Sequence, residues 1–159
     1  MNDIQFKICQ SKEDFVRAKQ VAKDYMIWLK MDLGFQNTEK EFAGFESMYG
    51  GRKGCYILAL ENDIVLGGVA LRFFDEGRCE MKRLFVYEGA QGRGLGRILC
   101  ERIIDEGKNR TYHSMLLDTV ERLHHANALY ESMGFVDITP YYFNPDPTAR
   151  FMELVLIAD

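Results

Sequence analysis

A strand-like run and a helix-like run flank the segment Gln91-Gly92-Arg93-Gly94-Leu95-Gly96. Glycine lets a backbone turn sharply and approach a ligand without a Cβ in the way. At a helix start the first N–H groups lack intrahelical acceptors, and the helix dipole adds partial positive charge. Glycines at such a start suit a phosphate or diphosphate, and Arg93 and Arg97 would bring cationic charge nearby. Two familiar phosphate loops do not fit. A P-loop ends Gly-Lys-Ser/Thr, whereas Gly96 precedes Arg97-Ile98. A dinucleotide fingerprint needs G-x-G-x-x-G, and the spacing here is G-x-G-x-G. Taken alone, the loop is also compatible with a Gly-rich turn that holds no ligand.

Further along comes Asn127-Ala128-Leu129-Tyr130-Glu131-Ser132-Met133-Gly134-Phe135. With both segments in view, the chain resembles the GNAT superfamily of N-acetyltransferases. That family carries a Gln/Arg-x-x-Gly-x-Gly/Ala loop after its fourth strand, matched by Gln91, Gly94 and Gly96. It also carries an Asn-x-x-Tyr-x-x-x-Gly-Phe element, matched by Asn127, Tyr130, Gly134 and Phe135. The resemblance covers most of the chain and implies acetyl-CoA as cosubstrate, with direct attack by an amine in a ternary complex. By the same resemblance the pantetheine arm would lie as an extra strand against Leu84, Phe85 and Val86, where the strand splays from its neighbour. The segment Gln91, Gly92, Arg93, Gly94, Leu95, Gly96 and Arg97 would hold the diphosphate. Asn127 would bond the pantetheine amides, and a backbone N–H near Val86 would face the developing oxyanion.

Amide formation needs a neutral amine, and a group of pKa near 10.4 is neutral in about one molecule in a few thousand at pH 7. A base or a water relay therefore helps. Glu80 lies on the strand leading into the Gly-rich loop, and simple alternation puts Glu80, Lys82, Leu84 and Val86 on one face. In some members of the family a Glu at the matching position deprotonates the amine. The other reading of Glu80 is a strand carboxylate paired with Lys82 or Arg83. Asp118, at the end of the next strand, is a second candidate for base or amine anchor. Tyr130 follows Asn127 at i,i+3 and faces the same way. A phenol is protonated at neutral pH and can donate to a departing thiolate, the role the family gives its Tyr. A core tyrosine is the alternative.

For the acceptor, the segment Tyr141-Tyr142-Phe143-Asn144-Pro145 falls between the last two strands, where acceptors enter folds of this family. Tyr25, Trp28 and Met31 are candidates for the opposite wall, although core packing explains such aromatics equally well. His124 and His125 are either polar pocket residues or a solvated helix start. The expected acceptor is a small-molecule or peptide amine. Two rivals are a non-catalytic acetyl-CoA-binding module and an acetyltransferase for RNA-borne amines.

These groups need a frame, and hydrophobic periodicity supplies one. Ile4–Ile8 alternates as a strand. Ser11 with Asp14 forms a capping box that opens a helix carrying Phe15, Ala18, Ala22, Tyr25, Leu29 and Leu33, with Gly34 as its stop. Thr38 with Glu41 reads as a second capping box. Strands follow over 55–60, 64–74 and 79–87, linked by turns at Asn62-Asp63 and Asp75-Glu76-Gly77. A helix from Leu95 to Gly107 buries Leu95, Ile98, Leu99, Arg102 and Ile103. Then come a strand over 114–119, a helix over 123–133, and strands from Phe135 and over 151–157. Hairpins make antiparallel pairs, and a helical crossover requires a parallel one. The expected fold is α/β (α+β): a mixed, mostly antiparallel sheet with helices on both faces, in one domain.

Bulk properties narrow the partners. The chain has 159 residues and a net charge of −4, with no Lys/Arg stripe of the kind that neutralises phosphates, so no nucleic-acid partner is expected. Cys9, Cys55, Cys79 and Cys100 form no C-x-x-C pair and have no His at metal-ligand spacing, so no metal is expected. Reduced thiols, no signal-like N-terminus and no run near the ~20 apolar residues of a membrane span point to a cytoplasmic protein without a membrane partner. A homodimer is compatible with the sequence, which does not specify an oligomeric state.

Overall fold

The computed structural model describes residues 3–30 and 38–157. Strand β1 (Gln5–Ile8) leads into helix α1 (Lys12–Leu29), then the short helices α2 (Thr38–Ala43) and α3 (Phe45–Gly50). The antiparallel meander β2 (Cys55–Glu61), β3 (Ile64–Asp75) and β4 (Arg78–Val86) follows. A 3-10 turn at Glu88–Ala90 precedes helix α4 (Leu95–Asn109), strand β5 (Ser114–Thr119), helix α5 (His124–Ser132) and strands β6 (Val136–Ile138) and β7 (Arg150–Val155).

The strands form one mixed sheet in the order β1-β2-β3-β4-β5-β7-β6. Among the described residues only β4 and β5 pair in parallel, because helix α4 carries the chain across the sheet between them. The second helical crossover, through α5, does not place its strand beside β5. Instead β7 inserts between β5 and β6, antiparallel to both. On β2 the period-2 pattern divides the core. Cys55, Ile57 and Ala59 pack with Leu99, Cys100 and Ile103 of α4, while Tyr56, Leu58 and Leu60 pack with Phe15, Ala18, Val21 and Ala22 of α1. Helices therefore cover both faces, as the sequence predicts.

The first capping box forms. Ser11 Oγ accepts the N–H of Asp14 at 3.1 Å, and Asp14 Oδ2 accepts the N–H groups of Gln10 and Ser11 at 3.0 and 3.1 Å. Lys7 Nζ lies 2.9 Å from Oδ1. Burial alone would raise the Asp14 pKa, but the Gln10 N–H, Lys7 and the Ser11 N–H outweigh it and hold the group at about 2. A folded-state pKa below the unfolded value contributes stability above pH ~4 that is lost as pH falls toward 2. Asp14→Asn should therefore cost about 2 kcal/mol at pH 7. Urea denaturation should show that gap closing toward pH 2, and a constant gap would refute the linkage.

Several local expectations change. Helix α1 ends at Leu29 with Lys30 in the left-handed region as its cap. Met31, Leu33 and Gly34 lie outside the described residues. Thr38 with Glu41 is not seen as a capping box: Thr38 already lies within α2, and the Glu41 carboxylate turns inward to Tyr49 and Arg83. On α4 the buried face comprises Leu95, Leu99, Cys100, Ile103, Ile104 and Gly107. Ile98 is only partly covered, and Arg102 is exposed with its guanidinium over the Phe6 ring.

The largest correction concerns β4. Cys79 and Met81 belong to the α4-side core, and so do Leu84 and Val86, whereas Phe85 packs on the α1 side. The parity flips between Met81 and Leu84. Ala70 pairs with Lys82 and Gly68 with Phe85, so Arg83 and Leu84 together oppose the single residue Val69. This is a β-bulge, and Arg83 sits in it at φ 62, a region non-glycine residues seldom occupy. Glu80 and Lys82 thus lie on the face opposite Leu84 and Val86, not on the same one.

Candidate functional site

The Gly-rich loop ends in an unobstructed helix start. Gly92 (φ 84) and Gly94 (φ 76) are left-handed, and a Cβ built on either would meet nothing within 4 Å. Gly94 caps α4, so no side chain bonds the first-turn N–H groups, and that turn holds no acidic residue. Helix α1 is the opposite case, with Ser11 as a side-chain cap and Glu13 and Asp14 in its first turn. The α4 amides are left for an external acceptor. Of the two expected cations, Arg93 is held by the Glu61 carboxylate at 2.7 and 3.2 Å, and Arg97 donates to Ser132 Oγ at 3.3 Å. Gln91 donates from Nε2 to the Val86 carbonyl at 3.1 Å, tying the loop to the end of β4.

Beside the loop the sheet opens. The β4–β5 ladder runs from Arg78↔Ser114 to Glu80↔Leu116 and stops there. Beyond that point the Arg83 bulge, a feature that bends a strand, interrupts β4. The β5-facing edge of β4 over Leu84, Phe85 and Val86 therefore carries no ladder, which leaves an edge able to pair with an extended amide. A pocket occupies the gap, lined by Lys82, Arg83 and Leu84 from β4, Leu117, Asp118 and Thr119 from β5, Tyr130 from α5, Tyr25 and Leu29 from α1, and Asn144.

Three carboxylates, the buried Glu80 and Glu41 and the partly buried Asp118, lie in and behind its walls. Glu80, 1% exposed, accepts from Arg72 Nε at 2.7 Å and the Tyr141 hydroxyl at 2.6 Å, with Lys82 Nζ at 3.7 Å. Burial would raise its pKa, but Lys82, Arg72 and Tyr141 together hold it below the ordinary carboxylate range. Asp118 accepts from the Tyr142 hydroxyl and from Asn144 Nδ2 at 3.0 Å. Glu41 accepts from Arg83 at 2.5 and 3.2 Å and from Tyr49 at 2.6 Å. The aromatic segment after β6 is thus hydrogen-bonded to both carboxylates that the sequence nominated.

Tyr130 lines the pocket, and its hydroxyl makes no hydrogen bond among the described residues. Burial pushes its pKa well above the usual phenol value, so it stays protonated. Asn127 is turned inward, with Oδ1 accepting from Thr119 Oγ1 at 2.7 Å and Nδ2 donating to the Val120 carbonyl at 2.9 Å. It ties α5 to the end of β5 and keeps one amide hydrogen and one lone pair for other partners. Trp28 is half-exposed and packs on Tyr25 and Phe85. Phe143 is 77% exposed and is not part of the pocket lining, and His124 and His125 are exposed at the start of α5.

Sequence reasoning missed Arg72 and the Glu41–Arg83–Tyr49 triad. Arg72 was within reach, because the Asp75-Glu76-Gly77 turn sets the hairpin register that puts it opposite Glu80. The triad joins segments far apart in sequence and left no local signal. Among the described residues, no cluster of His, Cys, Asp and Glu could hold a metal ion, and no helix is long and apolar enough to cross a membrane.

Comparison with known proteins matches residues 20–135 to the family model described as Acetyltransferase (GNAT) family. An uncharacterized N-acetyltransferase of Schizosaccharomyces pombe is 39% identical over 150 residues, covering 93% of this chain and 90% of its own length. The crystal structure of an acetyltransferase from Streptococcus agalactiae superposes with a TM-score of 0.78 at 27% identity, covering 96% of this chain and 98% of its own. The fold is shared by a Salmonella typhimurium protein solved with its cofactor acetyl-CoA, with a TM-score of 0.70, 20% identity, and coverage of 99% of this chain and 96% of that one. With the capless α4 start, the unladdered β4–β5 edge and the pocket tyrosine in place, and with a family match spanning most of its length, the chain belongs to the GNAT acetyltransferase family.

Proposed function

We propose that the protein transfers an acetyl group from acetyl-CoA to a primary amine. The observation that carries this reading is the early end of the β4–β5 ladder at Glu80↔Leu116, which opens an amide-pairing edge into a pocket containing Tyr130. The residues present fit the cosubstrate. The free α4 amides and the open space over Gly92 and Gly94 suit the diphosphate, and the edge at Leu84–Val86 suits the pantetheine amides. The likeness to a fold solved with acetyl-CoA supports the same choice.

Acetyl-CoA supplies the activated acyl group as a thioester. The chain's own residues hold the amine and manage protons. Asp118 lines the pocket and is positioned to hold the incoming ammonium and take up its proton, directly or through water. Glu80, engaged by Arg72 and Tyr141, acts by fixing the aromatic segment that carries Tyr142 and Asn144 to Asp118. Tyr130, kept protonated by burial, donates to the departing thiolate. The acceptor is a small-molecule or peptide amine, the setting is cytoplasmic, and the chain acts as one domain.

The test is thiol release from acetyl-CoA in the presence of a broad amine panel. Turnover supports the proposal, and tight acetyl-CoA binding without turnover on any amine would replace it with a binding module. Tyr130→Phe should lower kcat about 100-fold, with acetyl-CoA affinity within about twofold because the hydroxyl acts only on the leaving group. A wild-type kcat in that variant would remove Tyr130 from the mechanism.

A further inference from the structure

The Gly-rich loop is fastened from outside on either side of Gly92. Before it, Gln91 bonds the Val86 carbonyl. After it, Arg93 reaches the last residue of β2: Nη1 donates to Glu61 Oε1 at 3.2 Å and Nη2 to Oε2 at 2.7 Å. Glu61 is itself fixed. It pairs with Ile64 across the β2–β3 hairpin, and the two residues between them, Asn62 and Asp63, are both left-handed, as a tight type I′ turn requires. Arg17 of α1 also grips that turn, donating to Asp63 Oδ1 at 3.0 Å and to the Asp63 carbonyl.

This loop needs an external hold. Glycine loses more backbone freedom on ordering than any other residue, and Gly92 and Gly94 both have to be ordered. No neighbour packs where their side chains would be, and α4 has no side-chain cap. The first-turn amides can receive a diphosphate only when the loop keeps one shape. Arg93 could serve that ligand as a charge or as a strut, and the geometry favours the strut. Its two terminal nitrogens are forked onto one carboxylate. The pair therefore adds no net charge to the helix start, and its far end sits on backbone that is already held.

We propose that Glu61 and Arg93 are positioning residues for the cosubstrate: their ion pair fixes the Gly-rich loop against the β2–β3 turn and so aims the α4 amides, and Arg93 is not a direct counter-charge to the diphosphate. The β2–β3 turn, none of whose residues lines the pocket, thereby becomes part of the cosubstrate site. This deepens the acetyltransferase reading above and rests on it. The two roles of Arg93 predict opposite signs for the loss of Glu61. A strut fails when either end is removed, so binding weakens. A direct counter-charge is set free when Glu61 is neutralised, so binding tightens.

The experiment is calorimetric titration of the full chain with acetyl-CoA at one low ionic strength, where an exposed pair is least screened. Glu61→Gln and Arg93→Gln should each weaken binding about threefold, the scale an exposed ion pair can carry. The variant with both substitutions should bind no more weakly than the weaker single one, because the two act through one contact. The swap of Glu61→Arg with Arg93→Glu, which rebuilds the pair in reverse, should bind more tightly than Arg93→Gln alone. Affinity equal to or tighter than wild type in Glu61→Gln would overturn the inference. So would a swap no tighter than Arg93→Gln, since an anion at position 93 then acts only by repelling the diphosphate. Either result leaves the acetyltransferase reading standing. No binding of acetyl-CoA by well-folded wild-type protein would overturn both the inference and the reading beneath it.

Discussion

Gly94→Asp should weaken acetyl-CoA binding about 100-fold, since a carboxylate at this helix start both takes up the amides and opposes the diphosphate, yet the chain should still fold. Gly94 holds φ 76 as the cap of α4, a conformation that strains an L-residue by about 1–2 kcal/mol. A Cβ there meets no other atom, so the substitution adds strain but no clash. The carboxylate would instead occupy the space in front of the α4 amides, bonding them as an ordinary N-cap does. It would then repel the diphosphate from the site those amides are proposed to serve. Gly94→Ala separates the two effects: it carries the strain without the charge, and its affinity should fall no more than about tenfold. Calorimetric titration with acetyl-CoA, alongside thermal melts, checks both variants. Wild-type affinity in a well-folded Gly94→Asp protein would show that the diphosphate does not sit at this helix start.

Much of this loop could be read from sequence because its requirement is local. Gly92 and Gly94 need left-handed backbone, and glycine is the residue that gives it freely, so residue type and conformation coincide. The same holds for the Ser11–Asp14 box. The meander turns were also local, and they set the strand boundaries to within a residue or two. Where the sequence misled, the deciding partner was distant. Alternation along β4 failed because the extra residue is Arg83, which carries no glycine-like mark of a bulge. Its reason for being there is Glu41, forty-two residues earlier. Glu41 itself looked like half of a capping box because its spacing from Thr38 is right; its inward turn depends on a guanidinium the local pattern does not contain. Asn127 and Tyr130 were found together by helical spacing, but spacing could not say that the Asn127 amide would be drawn to Thr119 and Val120.

These distant contacts link the α2–α3 segment to the strand edge. The α2–α3 segment supplies Glu41 and Tyr49, the bulge supplies Arg83, and the bulge is what turns Leu84 and Val86 toward the α4-side core while Lys82 stays across the sheet. The pocket therefore depends on a hydrogen-bonded ion pair whose two side chains are each 3% exposed. Such a pair is costly to assemble and more costly to break, because removing one partner leaves the other charge in a site built for a pair.

Glu41→Ala should accordingly destabilise the fold by about 3–5 kcal/mol. Burial would raise the Glu41 pKa, and Arg83, Lys82 and Tyr49 together pull it below the ordinary range, so in the wild type the carboxylate stays charged at neutral pH. The alanine variant takes that charge away from Arg83 and one acceptor from the Tyr49 hydroxyl. Arg83 also loses a contact that helps hold it in the bulge at φ 62, so the bulge itself is the element expected to relax. Glu41→Gln keeps an acceptor oxygen and the side-chain shape, and should lose less than half as much. The decisive comparison is the double variant Glu41→Leu with Arg83→Met, which replaces the pair by apolar groups of similar volume and should recover most of the lost stability. Urea unfolding at pH 7 measures all three. A loss below about 1 kcal/mol for Glu41→Ala, the range of an exposed surface pair, would mean that the bulge does not depend on Glu41 and that the triad is incidental to the pocket.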